Sequence, residues 1–327
     1  MLEFFKQNGF ISSFLLLPYA VLIRINNLIF PESILPNDDY SGFMNFLLTA
    51  ISNPIWQGIL ASFIVFFQAL LINRLVIKHR ITKETTHIPG LLFILLSAFL
   101  KEFLYFTPEL LSLTFIILAI HITMTTYNER EAAGPVFLVG FFIGLASIIY
   151  FPFYFFLIIG LISLIILKSV SLKDILQFLI GLCLPTFFHS VWEFFVQSDI
   201  NILPDYFFNN FNLAFTLLIR DFKGLMVSVI IGVFMLISLL SYGRYGQQKP
   251  TSTQIKIDIL YWIAIFSLLS IMITKTPGYA HILLLVFPLS IFISMNFISM
   301  KNKIVAEIIH LFMIIFAVII QFGLIEI

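Results

Sequence analysis

Charged side chains fall almost entirely into the gaps between long apolar runs, and the sign of the charge alternates from gap to gap. A run of about 20 apolar residues matches the hydrocarbon thickness of a bilayer. A chain built from many such runs finds its low-energy environment in lipid. The residue balance agrees, with 60% hydrophobic and 11% charged residues against about 25% charged in an ordinary soluble domain. The runs are continuous rather than alternating, which excludes an outer-membrane barrel. The sequence therefore predicts an all-α fold, a polytopic transmembrane helical bundle.

The candidate spans are 10–30, 56–77, 88–106, 108–127, 134–149, 152–168, 175–192, 222–242, 259–274, 279–299 and 304–325. These eleven segments and their connectors take up nearly all of residues 1–327, so the chain reads as a single integral membrane domain. Segment 10–30 reads as a retained first span, because Pro31-Glu32 follows it instead of a small-residue cleavage site. Lys101 and Glu102 interrupt the third segment and Pro108 opens the fourth, so this pair reads either as two spans or as a shallow, re-entrant hairpin. The fifth and sixth meet at Phe151-Pro152, which predicts a tight turn or a broken pair. Irregular backbone of that kind is tolerated only where protein or water covers it.

Lys and Arg near span ends set the orientation. With the N-terminus on the cytoplasmic side, thirteen of the 18 basic residues face inward; Arg24, Lys101, Arg220, Lys223 and Lys275 face outward. The predicted location is a bacterial cytoplasmic (inner) membrane. Two outer loops, 31–55 and 193–221, are long enough to carry structure.

Several functions lack their signals. The formal net charge is +1 and no basic patch extends beyond short loops, which excludes a nucleic-acid partner. Cys183 is the one cysteine and supports neither an internal disulfide nor a thiolate metal site. The six histidines have no zinc-ligand spacing, and Walker A, GxGxxG and GxSxG motifs are absent. The 40 Phe residues read as lipid-facing and interhelical filler.

The first outer loop carries the most chemistry. Pro36-Asn37-Asp38-Asp39 is a turn signal. From Tyr40 the apolar residues Phe43, Phe46, Leu47, Ala50 and Ile51 recur at helical spacing, which predicts an amphipathic juxtamembrane helix over about 41–52. The twin carboxylates Asp38 and Asp39 then either cap that helix or serve as a general base, or as a divalent-cation ligand (Mg or Mn), for a substrate in the outer leaflet. The outer basic residues read in two ways as well. They either snorkel to the interface, as Arg24 and Lys223 are placed to do, or form a cationic pocket for a lipid phosphate. Lys275-Thr-Pro-Gly-Tyr279 is the sharpest such element, because Pro277 and Gly278 bend the chain just before the next span. Lys101 and Glu102 read as a local ion pair or as part of that pocket. His189 and His281, near outer span ends, read as satisfied interior groups.

These pieces resemble the GT-C superfamily of polyprenyl-phosphate-sugar-dependent membrane glycosyltransferases. The shared features are a first span leading into an acidic outer loop (Asp38, Asp39), a juxtamembrane helix, and a late basic and aromatic element before a Pro-containing span, here Lys275 to Pro288. The chain departs from that pattern in having Asp-Asp where Asp-Glu is frequent, and Gly278 where a basic residue precedes the tyrosine. The segment from Phe67 to Pro185 also resembles an uncharacterised family of bacterial inner-membrane proteins, through Phe67-Gln-Ala-Leu-Leu-Ile-Asn73 and Tyr150-Phe-Pro152. The GT-C resemblance implies Asp38 and Asp39 as catalytic residues, and Lys275, Arg220, Lys101 and Tyr279 around a lipid-linked sugar phosphate. Two other functions remain open on the sequence. One is a non-catalytic membrane component of an envelope secretion, motility or polysaccharide-export assembly, with protein partners. The other is a transporter or lipid flippase, although no internal repeat is evident.

Overall fold

The computed structural model describes residues 2–6, 9–37, 40–129, 132–168, 170–197, 222–246, 249–271 and 278–323, leaving aside the side chains of 196–197, 222–228 and 244–246. Among the described residues all regular structure is helical. In chain order the helices are α1 (Leu2–Lys6), α2 (Phe10–Ile23), α3 (Ile25–Ile29), α4 (Gly42–Ala50), α5 (Pro54–Lys78), α6 (Ile88–Leu96), α7 (Pro108–Thr123), α8 (Ala133–Ile149), α9 (Phe156–Leu167), α10 (Leu172–Gln197), α11 (Phe222–Gly246), α12 (Thr251–Ser270), α13 (Leu283–Ser299) and α14 (Lys303–Gln321). Each of the eleven apolar segments contains helix. Among the described residues six stretches are long and apolar enough to cross a membrane: Pro54–Lys78, Pro108–Thr126, Leu172–Phe195, Thr251–Ser270, Tyr279–Ser299 and Lys303–Gln321.

Polar side chains in the gaps start these helices. Asn53 accepts from the Ile55 N–H and Pro54 takes the first helical position. Thr107 and Pro108 do the same for α7, and Asn302 caps α14. Each cap satisfies an N–H that the helix leaves without a partner.

Polar contacts tie described helix ends together at the two ends of the bundle. At one end Glu3 pairs with Lys303 at 2.9 Å, the His87 N–H donates to the Phe5 carbonyl, and the Asn128 N–H donates to the Leu167 carbonyl. At the other end Glu32 pairs with Lys101, Asn26 donates to the Gln321 carbonyl, and Tyr150 meets His281.

The third segment differs from a full span. α6 has nine residues, all buried, and covers only about 14 Å at 1.5 Å per residue. The chain then leaves the helix at Ser97, makes a 3₁₀ turn over Lys101–Leu104, and enters α7. The fifth and sixth segments are joined by a second 3₁₀ turn, Phe151–Phe155.

Helices α8 and α10 make the closest long packing in the bundle. A methyl group on Gly140 would overlap the Phe178 carbonyl, and one on Gly181 would overlap the Phe137 carbonyl. Gly144 abuts Leu182 in the same way. Gly140-Phe-Phe-Ile-Gly144 is a small-xxx-small spacing, which lets two backbones approach in lipid. Gly140→Ala and Gly181→Ala are expected to destabilise the protein by about 1–3 kcal/mol each. Gly134→Ala, where the added carbon meets open space, is expected to be neutral or mildly stabilising. Thermal unfolding of the three variants in detergent measures the difference.

Candidate functional site

The candidate site is built on the broken stretch after α6. Backbone carbonyls that leave a helix inside a bundle lose their partners, and each unsatisfied group costs several kcal/mol in hydrocarbon. Here Arg24 supplies the donors. Its side chain is fully buried and donates to the Ser97 carbonyl at 2.9 Å, the Phe103 carbonyl at 2.8 Å and the Leu104 carbonyl at 3.1 Å. Asn27 adds a 2.7 Å bond to the Leu104 carbonyl. Gln321 of α14 reaches the Ala98 and Ile23 carbonyls, both at 3.0 Å. The snorkelling role read for Arg24 is therefore corrected: its guanidinium is buried and points inward to the carbonyls of Ser97, Phe103 and Leu104.

The same stretch lines an apolar groove. Leu96, Phe99, Leu100 and Phe103 form one wall, Ile231 and Phe234 of α11 a second, and Leu285 and Leu289 of α13 a third. The cavity is about 40 Å³, and all of its lining residues are apolar. Phe103 and Ile282 of this lining belong to two 3₁₀ turns that touch each other, Lys101–Leu104 and Tyr279–Ile282. The structure thus brings together the turns that hold two of the expected phosphate-binding residues, Lys101 and Tyr279. Asp38, Asp39, Arg220 and Lys275 lie outside the described residues.

Lys101 does not form its ion pair with its sequence neighbour Glu102, which corrects the local pairing. Its ammonium reaches Glu32 at 2.6 Å, and the Tyr105 hydroxyl donates to the other Glu32 oxygen at 2.6 Å. Sequence proximity lost to geometry, because the extended 31–37 segment runs past the 101–104 turn. Bonds from Lys101 and then Tyr105 hold the Glu32 carboxyl below the usual carboxylate range. Glu32, Tyr105 and Arg24 are the residues that sequence reasoning undervalued. One signal was present: Arg24, Asn26 and Asn27 are three strongly polar residues close together in an apolar run, and such residues face a protein interior.

The juxtamembrane helix is observed as α4, slightly shorter than read. Ser41 caps it by accepting from the Met44 N–H, so a hydroxyl holds the capping position read for Asp38 or Asp39. Met44 and Leu48 face the bundle, while Phe46 packs edge-on against Trp192 at 5.9 Å. On the two sides of residues 38–39, the Tyr40 N–H donates to the Asn37 carbonyl, and Asn45 bonds both backbone groups of Asn37.

Behind the Tyr279–Ile282 turn runs a buried polar chain. Tyr150 meets His281 Nδ1 at 2.8 Å, and His281 Nε2 meets Ser270 at 2.8 Å. His281 is a satisfied interior histidine, as read, and it ties this turn to α12 and to the turn after α8. Among the described residues no three His, Cys, Asp or Glu side chains gather as a metal site.

Two predictions follow from this geometry. Arg24→Met is expected to cost about 2–3 kcal/mol, since it strands buried carbonyls; Arg24→Lys is expected to recover only part of that loss, because an ammonium cannot span three acceptors as a planar fork does. Chemical denaturation in mixed micelles measures both. The folded Glu32 carboxyl titrates below its unfolded value, so its contribution is fully present above the ordinary carboxylate range and is lost as the pH falls from that range through the lowered folded value. Both partners are half-exposed, which limits the pair to about 1 kcal/mol or less. The melting-temperature gap between wild type and Lys101→Met is expected to close below about pH 4.

Comparison with known proteins supports the fold. ArnT from Cupriavidus metallidurans, in a crystal structure bound to undecaprenyl phosphate, superposes with a TM-score of 0.53 at 9% identity, over 89% of this chain. The match spans 60% of the ArnT chain. The polytopic helical fold expected from the sequence is borne out by this likeness. An Archaeoglobus fulgidus oligosaccharyltransferase tethered to an acceptor peptide aligns over 93% of this chain and 49% of its own, with 10% identity and a TM-score of 0.43. No curated protein sequence matches significantly. The described sequence pattern of DUF6427 matches residues 40–327, and the chain belongs to this family of unknown function.

Proposed function

We propose that the protein is a membrane glycosyltransferase that acts at the extracytoplasmic face on a polyprenyl-phosphate-linked sugar. The observation that carries this reading is the apolar groove that ends at the paired turns of Lys101 and Tyr279. An isoprenoid tail suits a groove without polar lining, and the phosphate of such a lipid suits a cationic rim. The fold shared with ArnT, whose structure holds undecaprenyl phosphate, supports the same substrate class.

In this reading an acceptor hydroxyl attacks the anomeric carbon of the sugar. Asp38 or Asp39 takes the hydroxyl proton, the bond from that carbon to the phosphate oxygen breaks, and the lipid phosphate departs with the electron pair. Lys275, Arg220 and Lys101 stabilise the departing charge, and Tyr279 lines its place. Positioning and charge stabilisation supply most of the rate. Lys101 must exchange its bond with Glu32 for one to phosphate, and the exposure of both side chains permits this.

The test is transfer from an undecaprenyl-phosphate sugar by the purified protein. Asp38→Asn and Asp39→Asn are compared with wild type, and one of them is expected to lose about 100-fold or more in kcat. Ile231→Glu, which places a charge in the groove wall, is expected to abolish undecaprenyl phosphate binding. Unchanged transfer in both aspartate variants would remove the proposed base.

A further inference from the structure

A buried acid and a buried base share one tyrosine behind the two touching turns. Glu109, in the first turn of α7, is 8% exposed, and His281 of the Tyr279–Ile282 turn is fully buried. The Tyr150 hydroxyl joins them. It lies 2.8 Å from His281 Nδ1 and also hydrogen-bonds the Glu109 carboxyl. The Thr107 hydroxyl and the Glu109 backbone N–H are further partners of that carboxyl. On the far side His281 Nε2 lies 2.8 Å from Ser270 Oγ, and the Ser270 hydroxyl donates to the Ser267 carbonyl at 2.8 Å. The transfer reaction proposed above uses neither Glu109 nor His281. Ionisable side chains inside a membrane bundle are costly, and they mark proton relays and other functional sites.

The directions of these bonds fix how many protons the group holds. A carbonyl only accepts, so the Ser270 hydrogen is committed to Ser267. Ser270 Oγ therefore accepts from His281, and His281 Nε2 carries a hydrogen. Tyr150 has one hydrogen for two neighbours. If it points to His281 Nδ1, the imidazole is neutral, and the bond to Glu109 needs a hydrogen on the carboxyl. If it points to Glu109, the carboxyl is ionised, and the bond to His281 needs a second hydrogen on the imidazole. Both arrangements hold the same protons and the same net charge. The first leaves every group uncharged, which a desolvated site favours. Among the described residues no Lys or Arg pairs with Glu109, and no carboxylate pairs with His281. Titratable groups on the surrounding elements are engaged elsewhere. Lys101 and Tyr105 hold Glu32, Tyr154 meets Thr186 at 2.9 Å, and His189 lies 3.2 Å from Glu193. Glu102 and Tyr279 are the remaining titratable side chains of the two turns.

We propose that Glu109, Tyr150 and His281 form a proton-relay site that holds one transferable proton. In the transfer the Glu109 O–H bond breaks as its proton passes to Tyr150 Oη, while the Tyr150 proton passes to His281 Nδ1. Glu109 becomes a carboxylate, His281 becomes an imidazolium, and Tyr150 keeps one hydrogen. The chain of bonds ends on the Ser267 carbonyl, which has no proton to pass on, so the site stores a proton and does not conduct one across the bundle. The shift moves a positive charge onto the Tyr279–Ile282 turn, which touches both α7 and the Lys101–Leu104 turn. It needs no exchange with solvent, and it does not depend on the glycosyltransferase reading.

The experiment uses the full-length protein in detergent micelles. Infrared spectroscopy reads the carboxylic-acid C=O stretch, and nitrogen NMR of isotope-labelled histidine reads the two ring nitrogens of His281. A buried carboxylic-acid band that is lost in Glu109→Gln is expected, with His281 neutral and protonated on Nε2 alone. If Glu109→Gln fails to fold, Glu109→Asp assigns the band by shifting it. Tyr150→Phe is expected to shift both the Glu109 band and the Nδ1 signal. An ionised Glu109 beside an imidazolium would keep the shared proton and place its rest on His281. An ionised Glu109 beside a neutral His281, or a protonated Glu109 beside an imidazolium, would overturn the proposal, because no single proton would then be shared. Unchanged signals at both groups in Tyr150→Phe would overturn it too, by removing the link.

Discussion

The hydrogen bonds from Arg24, Asn27 and Gln321 to the carbonyls of residues 97–104 are the constraint on which this architecture turns. A bundle in lipid has no water to satisfy a broken helix, so the break must be answered by protein donors. Those donors come from the first span and from the last helix. The bonds therefore also tie the two ends of the chain to its middle. A guanidinium suits this role because its planar fork meets several acceptors at once and stays charged when desolvated.

The break creates the candidate site. Had α6 continued as a helix, its carbonyls would have turned inward on their own ladder and no groove would end at this depth. Instead Phe99, Leu100 and Phe103 are freed to line the groove, while Arg24 holds the backbone at Ser97, Phe103 and Leu104. Support behind and an apolar opening in front give a preorganised recess. The His281 chain does the same for the second turn, through Tyr150 and Ser270.

The two ends of the bundle are chemically unlike. One gathers Glu32, Lys101 and Tyr105 beside the groove. The other holds His79, His121, Lys249 and Lys256 beside the pairs Lys303–Glu3 and Lys168–Asp174. Between them the helices are joined by close glycine contacts, as between α8 and α10, and by single polar clasps. Gln68 on α5 bonds the Leu110 carbonyl and Thr114 on α7, and Tyr19 on α2 meets His310 on α14. In lipid such contacts replace the hydrophobic drive that holds a soluble core.

Sequence alone determined the class of fold, the helical segments and the juxtamembrane helix. Each of these depends on local periodicity or on charge near span ends, and both are written in short windows. The tertiary structure decided which polar residue meets which. Arg24 turns inward because a carbonyl cluster 73 to 80 residues away needs donors, and Lys101 passes over Glu102 to reach Glu32, 69 residues away. The shortness of α6 and the groove beside it follow from the same distant contacts, and no local pattern of hydrophobicity records them.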